Sequence, residues 1–536
     1  AGVVGGDLTP VPTGGDIRGN TYLTGDQSQS SVAVLVDGSF VVTWTSGGQD
    51  GDQNGIYGQR FLADGAPTGN EFLINSCVNF NQTKSAVAAL SSGGFVVTWT
   101  SEGQDGDNRG IFGQRYGMDG LPVGNEFQVN TYTTSVQTNS SITSLADGGF
   151  VVMWSSFGQD GSGYGIYGQR FDVDGTPVGG EFRVNTRTGG YQELSSVAAV
   201  GVGGFVVTWS SDGQDGSGWG IYGQRFDGDA RPIGSEFKVN TYTASYQDHS
   251  AVLALSDGGF VVTWGSWNQD GSGWGVYGQC YGAAGTPIGA EFKINTKTLS
   301  DQDFPALGAL SDGGFVVIWS SKDQDASSWG VFGQRYGADG SSDGVEFRVN
   351  GITTGAQQAE GVASMDYRAI AANGRLVVTW SGDGDVHFRL VDIPPSTPGL
   401  LGAEDQLIDL AVVVEAADTD GSEMISDVTI AFPVLDDSGD PLPVGFALNH
   451  ATDNGDGSWT LTPAELAGLQ VIPAANWNGA FTLTVSATST EIANGDTATT
   501  TVDLPVTITP VNDAPTVAAA LTGAGTEDGG AFTVDL

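Results

Sequence analysis

At 536 residues the chain exceeds a single ordinary domain, and 84 glycines set against only 19 lysines and arginines suit many short strands joined by tight turns. A formal charge of −43 excludes nucleic acid and anionic membrane as natural partners, and favours a cation-rich setting in which bound Ca²⁺ would ease the repulsion. No apolar run reaches the ~18 residues of a membrane-spanning helix, so no membrane insertion is expected, and no leader pattern opens the chain.

Taken in chain order, residues 1–14 form an N-terminal segment, after which a repeat governs residues 15–393. Tryptophans of "FVVTW"-like strands fall at Trp44, Trp99, Trp154, Trp209, Trp264, Trp319 and Trp380, with five intervals of 55 and a last one of 61. Asn20, Asn75, Asn130, Asn185, Asn240, Asn295 and Asn350 keep the period of 55 throughout, as do the glutamines from Gln27 to Gln357. The six extra residues therefore fall between Gln357 and Trp380, and there are seven units. Cys77 and Cys280 occupy non-equivalent repeat positions, so no disulfide is expected between them.

Each unit reads as four short strands. In the fourth unit they are 196–200, 205–210, 220–226 and 236–240, parted by Gly- and Pro-bearing turns. Seven such antiparallel sheets with no helix between them predict an all-β, seven-bladed β-propeller. Small side chains in "SVAAV" and "SAVAAL" suit the crowded innermost strand, and "EFKVN" the outermost. The seventh unit ends at "VHFRL" (386–390) without an outer strand, while "DIRGN" (16–20) is an outer strand with no blade before it. Residues 16–20 are therefore expected to complete blade seven and close the ring, which also removes open sheet edges.

Residues 394–399 read as a linker, and 400–515 as about seven alternating strands of a β-sandwich. The runs "AEDQLIDL", "DTDGSE", "DNGDGSWTLTPAELAGL" and "ITPVNDAPTV" resemble the cadherin-like domains found in tandem in large bacterial surface proteins and RTX-type secreted proteins. "GTEDGGAFTVDL" repeats "GAEDQLIDL" after 123 residues, so 516–536 is expected to start a further, truncated copy. The propeller units are similar to repeats of large calcium-dependent secreted proteins. The resemblance implies an extracellular, cell-surface setting, calcium as cofactor, and further domains of the same chain as neighbours. It also implies calcium ligation by the acidic clusters, here Glu404, Asp405, Asp418, Asp420, Glu423, Asn512 and Asp513.

Candidate sites within the propeller lie on the loop between the second and third strands. In blade one this loop reads Asp50-Gly-Asp52-Gln-Asn54-Gly, half of an EF-hand-type pattern whose hard oxygens suit Ca²⁺. Blade two keeps Asp105 and Asp107 but has Arg109 at the third position, and later blades keep one carboxylate, which fits a turn-building aspartate better than a metal site. Tyr164, Trp219, Trp274 and Trp329 stand at that third position in blades three to six, as sugar-stacking platforms or as wedges between blades. Strand topology puts the periodic glutamines, among them Gln192, Gln247 and Gln302, on the same face, and amide beside aromatic is sugar-binding chemistry. The "GQR" arginines recur in blades one to four and six, with Cys280 in their place in blade five, which suits pairing with the repeat's glutamates better than convergence on one centre. His249, His387 and His450 lack metal-ligand spacing, and the chain shows no nucleophile signature.

Three functions fit this pattern. The first is an extracellular adhesion module presenting repeated sites for a glycan or another cell-surface ligand on a calcium-stiffened rod, with avidity from repetition. The second is a purely structural or protein-interaction propeller. The third is a polysaccharide-active enzyme with a single site near the pore, where the insertion in unit seven (358–374) is expected to lie. Near-equivalence of the units argues for the first over the third.

Overall fold

A computed structural model describes residues 2–4, 10–201, 203–310, 312–325, 328–353, 355–365, 374–393, 400–403, 406–410, 414–416, 423–436, 441–466, 468–475, 477–492 and 496–509. The chain divides into two compact units, Asp7–Pro395 and a second one combining Ala1–Gly6 with Ser396–Leu536.

The larger unit holds seven four-stranded antiparallel sheets. Blade four runs Gln192–Val200, Gly204–Asp212, Trp219–Phe226 and Pro232–Lys238, from inner to outer strand. Two of these bounds depart from expectation. The inner strand begins four residues early, because Gln192 and Glu193 already pair with Ser211 and Ser210 before a bulge at residues 194–195. The outer strand starts at Pro232, opposite Phe226, and ends sooner, because Pro232 and Ile233 pair directly after the turn.

Ring closure is visible in the core. Val32, Phe40, Trp44 and Phe61 of blade one pack in one cluster with Val377, Val386, Phe388 and Leu390 of blade seven. The strand Val11–Arg18 forms the outer edge of the seventh sheet by pairing with Asp385–Ile393. This makes the larger unit a closed seven-bladed β-propeller. The seven periodic tryptophans are each fully buried. Each belongs to the second strand of its sheet, which is buried on both faces.

Uniform polar contacts fasten one blade to the next. Thr186 N–H donates to Glu236 Oε2 at 2.7 Å, and the same contact at a spacing of 50 recurs from Thr21–Glu71 to Thr296–Glu346. In blade seven the strand from the N-terminal side supplies the missing acid. Asp16 stands one period before Glu71 and accepts from Gly351 N–H (2.8 Å) and Ile352 N–H (2.7 Å).

In the smaller unit, a six-stranded sheet and a three-stranded sheet share one apolar core. The first sheet contributes Val428, Ile430, Leu461, Phe481, Leu483 and Val506, and the second Ile408, Leu448 and Val471. Within "TLTPAEL", Pro463–Leu466 form a single 3₁₀ turn. Thr462 N–H and hydroxyl both donate to Glu465 there, a capping arrangement that Pro at the first helical position favours.

Candidate functional site at the mouth of the pore

Antiparallel pairing fixes which parts of a blade share a face. The start of the inner strand, the end of the second, the start of the third and the crossing to the next blade all lie on one side of the ring. The tip loops belong to that side, and the bridges Asn54–Asn81, Arg109–Val136 and Trp329–Ala356 tie three tips to the crossings that follow them.

The carboxylates of the tips build turns. One oxygen of Asp50, Asp105, Asp160, Asp215 and Asp270 accepts the N–H two residues on, at 3.1–3.3 Å. The other is buried over the glycine second in the third strand; a Cβ on Gly55 would lie 2.6 Å from Asp50 Oδ2. The next predicted ligands are turned to other partners. Asp52 accepts Phe80 N–H, and Asp107 accepts Ser135 N–H, each at 2.8 Å, while Asn54 donates to Asn81 Oδ1 at 2.8 Å. In loop one the side chains of Asp52 and Asn54 are thus engaged by the following crossing. Among the described residues, no group of three or more His, Cys, Asp or Glu is placed to hold a metal. Glu404, Asp405, Asp418, Asp420, Asn512 and Asp513 lie outside the described residues, and of Glu423 only the backbone, opening Glu423–Ala431, is described.

The glutamines require a correction. Gln192, Gln247 and Gln302 are wholly buried and cannot face a ligand. Gln192 accepts from Asn185 Nδ2 (3.0 Å) and donates to the Gly189 carbonyl (3.0 Å), while Asn185 Oδ1 accepts Ile166 N–H (2.7 Å). Gln247 and Gln302 repeat this lock with Asn240 and Asn295. Its periodicity records backbone satisfaction at every crossing. The arginines also differ from expectation. They hold turns and aspartates, as Arg225 holds the Ala283 carbonyl at 2.7 Å and Arg170 pairs with Asp147, while the glutamates take Thr and Gln.

Tyr164, Trp219, Trp274 and Trp329 are half-buried, between the two extremes the sequence allowed. Tyr164 meets Phe157 edge-on at 5.1 Å and Tyr191 at 6.1 Å, and Trp274 meets Trp267 at 5.5 Å and His249 at 6.1 Å. Phe157, Tyr191, Tyr246 and Trp267 are each 37–49 % exposed. All stand on this face, at blades three to five or the crossings between them.

Inside the ring of tips lies a cavity of about 400 Å³, lined mainly by the inner strands. Its lining includes Gln29, Lys84, Asn139, Leu194, His249 and Phe304, one residue per blade at a spacing of 55. All six have positive φ, from 55° to 59°, where the inner strand bulges. The left-handed region is unfavourable for a residue with a Cβ, and such outliers gather where a side chain must be aimed. One position further on, serines 30, 85, 140, 195 and 250 also line the cavity.

The charges here are unequal around the ring. Lys84 Nζ donates to Asn139 Oδ1 at 2.6 Å. Burial and the nearby Arg109 lower its pKa, and Glu193 acts in the opposite sense. His249 Nδ1 lies 3.2 Å from Asp303 Oδ2 and its ring 4.5 Å from that of Phe304. Burial works against its protonation, but the bond to Asp303 and the charges of Asp303 and Asp248 outweigh it, so its pKa is raised. Glu193 is pushed up by burial and by Asp248, with Lys84 opposing. Sequence reasoning passed over this ring. The available signal was that six otherwise similar units place six different residues two positions after the periodic glutamine.

No family model matches the chain, and no curated protein matches it. Among solved structures it is similar to a protein of unknown function from Dyadobacter fermentans, at 11 % identity over 71 % of this chain and 98 % of that one, with a TM-score of 0.43. It is also similar to the β-propeller domain of the Trilobed protease from Pyrococcus furiosus (10 % identity, 69 % and 94 % covered, TM-score 0.40). An endo-arabinase from Bacteroides thetaiotaomicron matches at 13 % identity, over 54 % of this chain and all of its own, with a TM-score of 0.31. These likenesses are weak, and the fold rests on the strand pairing and closure described above.

Proposed function

We propose that the chain is an extracellular binding module of a larger surface protein, and that its propeller holds a glycan on the face carrying the tips. The observation that carries this reading is the gathering of exposed rings, Phe157, Tyr191, Tyr246 and Trp267, beside the half-buried Tyr164, Trp219 and Trp274. Aromatic faces exposed in one sector offer stacking surface to sugar rings, with hydroxyls and amides close by. The arrangement favours one extended site over the seven equivalent ones that the repeat suggests, because blades one and two carry Asn54 and Arg109 where the aromatics would stand. Binding is preferred to catalysis, since the described lining of the cavity offers amides, hydroxyls, an amine and an imidazole, and no carboxylate.

The sequence resemblance of residues 400–515 supports a cadherin-like sandwich as the second domain, with calcium held by its acidic clusters and further domains of the same chain as neighbours. In this reading calcium stiffens the rod, while the propeller tips are closed by their own hydrogen bonds. A glycan-array screen of the full chain, in calcium and again in EDTA, tests the reading. Binding that weakens in the Trp219→Ala, Trp267→Ala and Trp274→Ala variants is expected. Silence across the array, or binding indifferent to all three substitutions, would overturn it.

A further inference from the structure

Charge complementarity at the cavity narrows the ligand. Only 19 lysines and arginines stand in a chain of net charge −43, yet Lys84 and His249 both line this one cavity, and Arg109 lies near Lys84 on the adjoining tip. Of the neighbouring acids, Asp248 and Asp303 serve other partners, while Glu193 lies near Lys84 and offsets part of its charge. Asp248 Oδ1 accepts His249 N–H at 2.8 Å and the Ser210 hydroxyl at 2.5 Å; Asp303 is buried, accepts Phe304 N–H at 2.8 Å and backs the imidazole. The lining offers an amine, an imidazole and the Gln29 and Asn139 amides, while the hydroxyls of Ser85, Ser140, Ser195 and Ser250 are bonded to the preceding blade. Lys84 enters from blade two and His249 from blade five, three blades apart round a ring of seven. A volume of about 400 Å³ lies in the range of small-molecule sites and has room for a sugar ring between them.

We infer that the mouth of the pore is a specific subsite for a sugar bearing an oxyanion substituent, a carboxylate or a sulfate, held from opposite sides by Lys84 and His249. The inference rests on the glycan reading and sharpens it. The aromatic sector stacks the neutral rings of the chain, and the cavity takes the charged one. Charge-assisted hydrogen bonds are the strong contacts such a group makes, and they are strengthened where water is partly excluded. The groups facing His249 are Asp303, Asp248, Trp274 and Phe304, and those facing Lys84 are Asn139, Arg109 and Glu193. Protonated His249 favours the anion, so affinity should be highest at acidic pH and fall as pH rises through the raised His249 value.

The test is calorimetric titration of the full chain with three probes at pH 5.5 and 8: a glucuronate-containing tetrasaccharide, its carboxyl-reduced counterpart, and a sulfated neutral tetrasaccharide. Inorganic sulfate alone serves as a fourth. One or both anionic oligosaccharides should bind more tightly than the reduced one, and more tightly at pH 5.5. Lys84→Gln and His249→Gln should each cost about tenfold or more, the loss of one charge-assisted contact. Lys84→Arg should recover most of the loss, and melting curves show that each variant is folded. If the reduced probe binds as well as the charged ones and neither substitution matters, the inference falls while the glycan reading stands. Sulfate binding as tightly as the oligosaccharides would make this an ion site and overturn the inference. If no oligosaccharide binds at all, the inference falls, and the glycan array decides whether the glycan reading falls with it.

Discussion

Two positions on the same strands, two residues apart, behave in opposite ways. The glutamines from Gln27 to Gln357 are identical in all seven blades and wholly or almost wholly buried. The residues two further on, Gln29, Lys84, Asn139, Leu194, His249 and Phe304, differ in every one of six blades and line a cavity. A repeated residue answers a need that recurs in every blade, such as an unpaired amide at a crossing. A residue that changes from blade to blade on an otherwise constant bulge answers something with no sevenfold symmetry, which is how a ligand looks to a ring. In this propeller the constant positions build the scaffold, and the varying ones line the cavity.

The comparison can be broken most forcefully through the core. Trp209→Ala should cost about 3–5 kcal/mol, as large-to-small changes at fully buried aromatics do, and lower the propeller's melting temperature by calorimetry. A small loss would show that the periodic tryptophans do not carry the blades. Next comes the lock. Gln192→Ala leaves the Asn185 amide and the Gly189 carbonyl short of a partner, at about 1–3 kcal/mol, with ligand affinity unchanged. Affinity lost without stability would reverse the roles assigned to the two positions.

Smaller effects sharpen the varying ring. Leu194→Gly removes a Cβ from a residue held at φ 56° and should stabilise the protein by about 1 kcal/mol, measured by urea unfolding. Destabilisation would mean that the Leu194 side chain holds the ring together. Smallest is the pH dependence at His249. Its folded pKa is raised above the ordinary 6.5, so its stabilising contribution is full below that value and lost as pH rises through the folded one. Stability curves of the parent and His249→Gln should therefore diverge on the acid side and converge above that window. Parallel curves at all pH values would remove the Asp303 pairing from the account.

Much of the architecture was legible in the sequence because it is written seven times. Trp44 to Trp380 marked the second strands, and residues 16–20 marked the closing one, since an outer strand without a blade needs a blade without an outer strand; that strand in fact runs Val11–Arg18, starting within the segment 1–14 expected to precede the propeller. The site was harder to read. A bulge placing Leu194 at positive φ leaves no local trace, as leucine is not a turn residue. Gln192 looked available because amides beside aromatics bind sugars, but nothing in its neighbours discloses that Asn185 lies beneath it. Aligning the seven units for what they share brought out the scaffold and averaged away Lys84 and His249.

The edge supplied by Val11–Arg18 has a consequence in time. Thr13 bonds the Leu390 carbonyl across a sequence separation of 377 residues, so the strand reaches its place only after every blade between has been made. Contacts of such range form late and slowly, because the loop they close must first be ordered. During synthesis the earliest strand of the propeller therefore waits longest, and the last contact formed is the one that turns a row of blades into a ring.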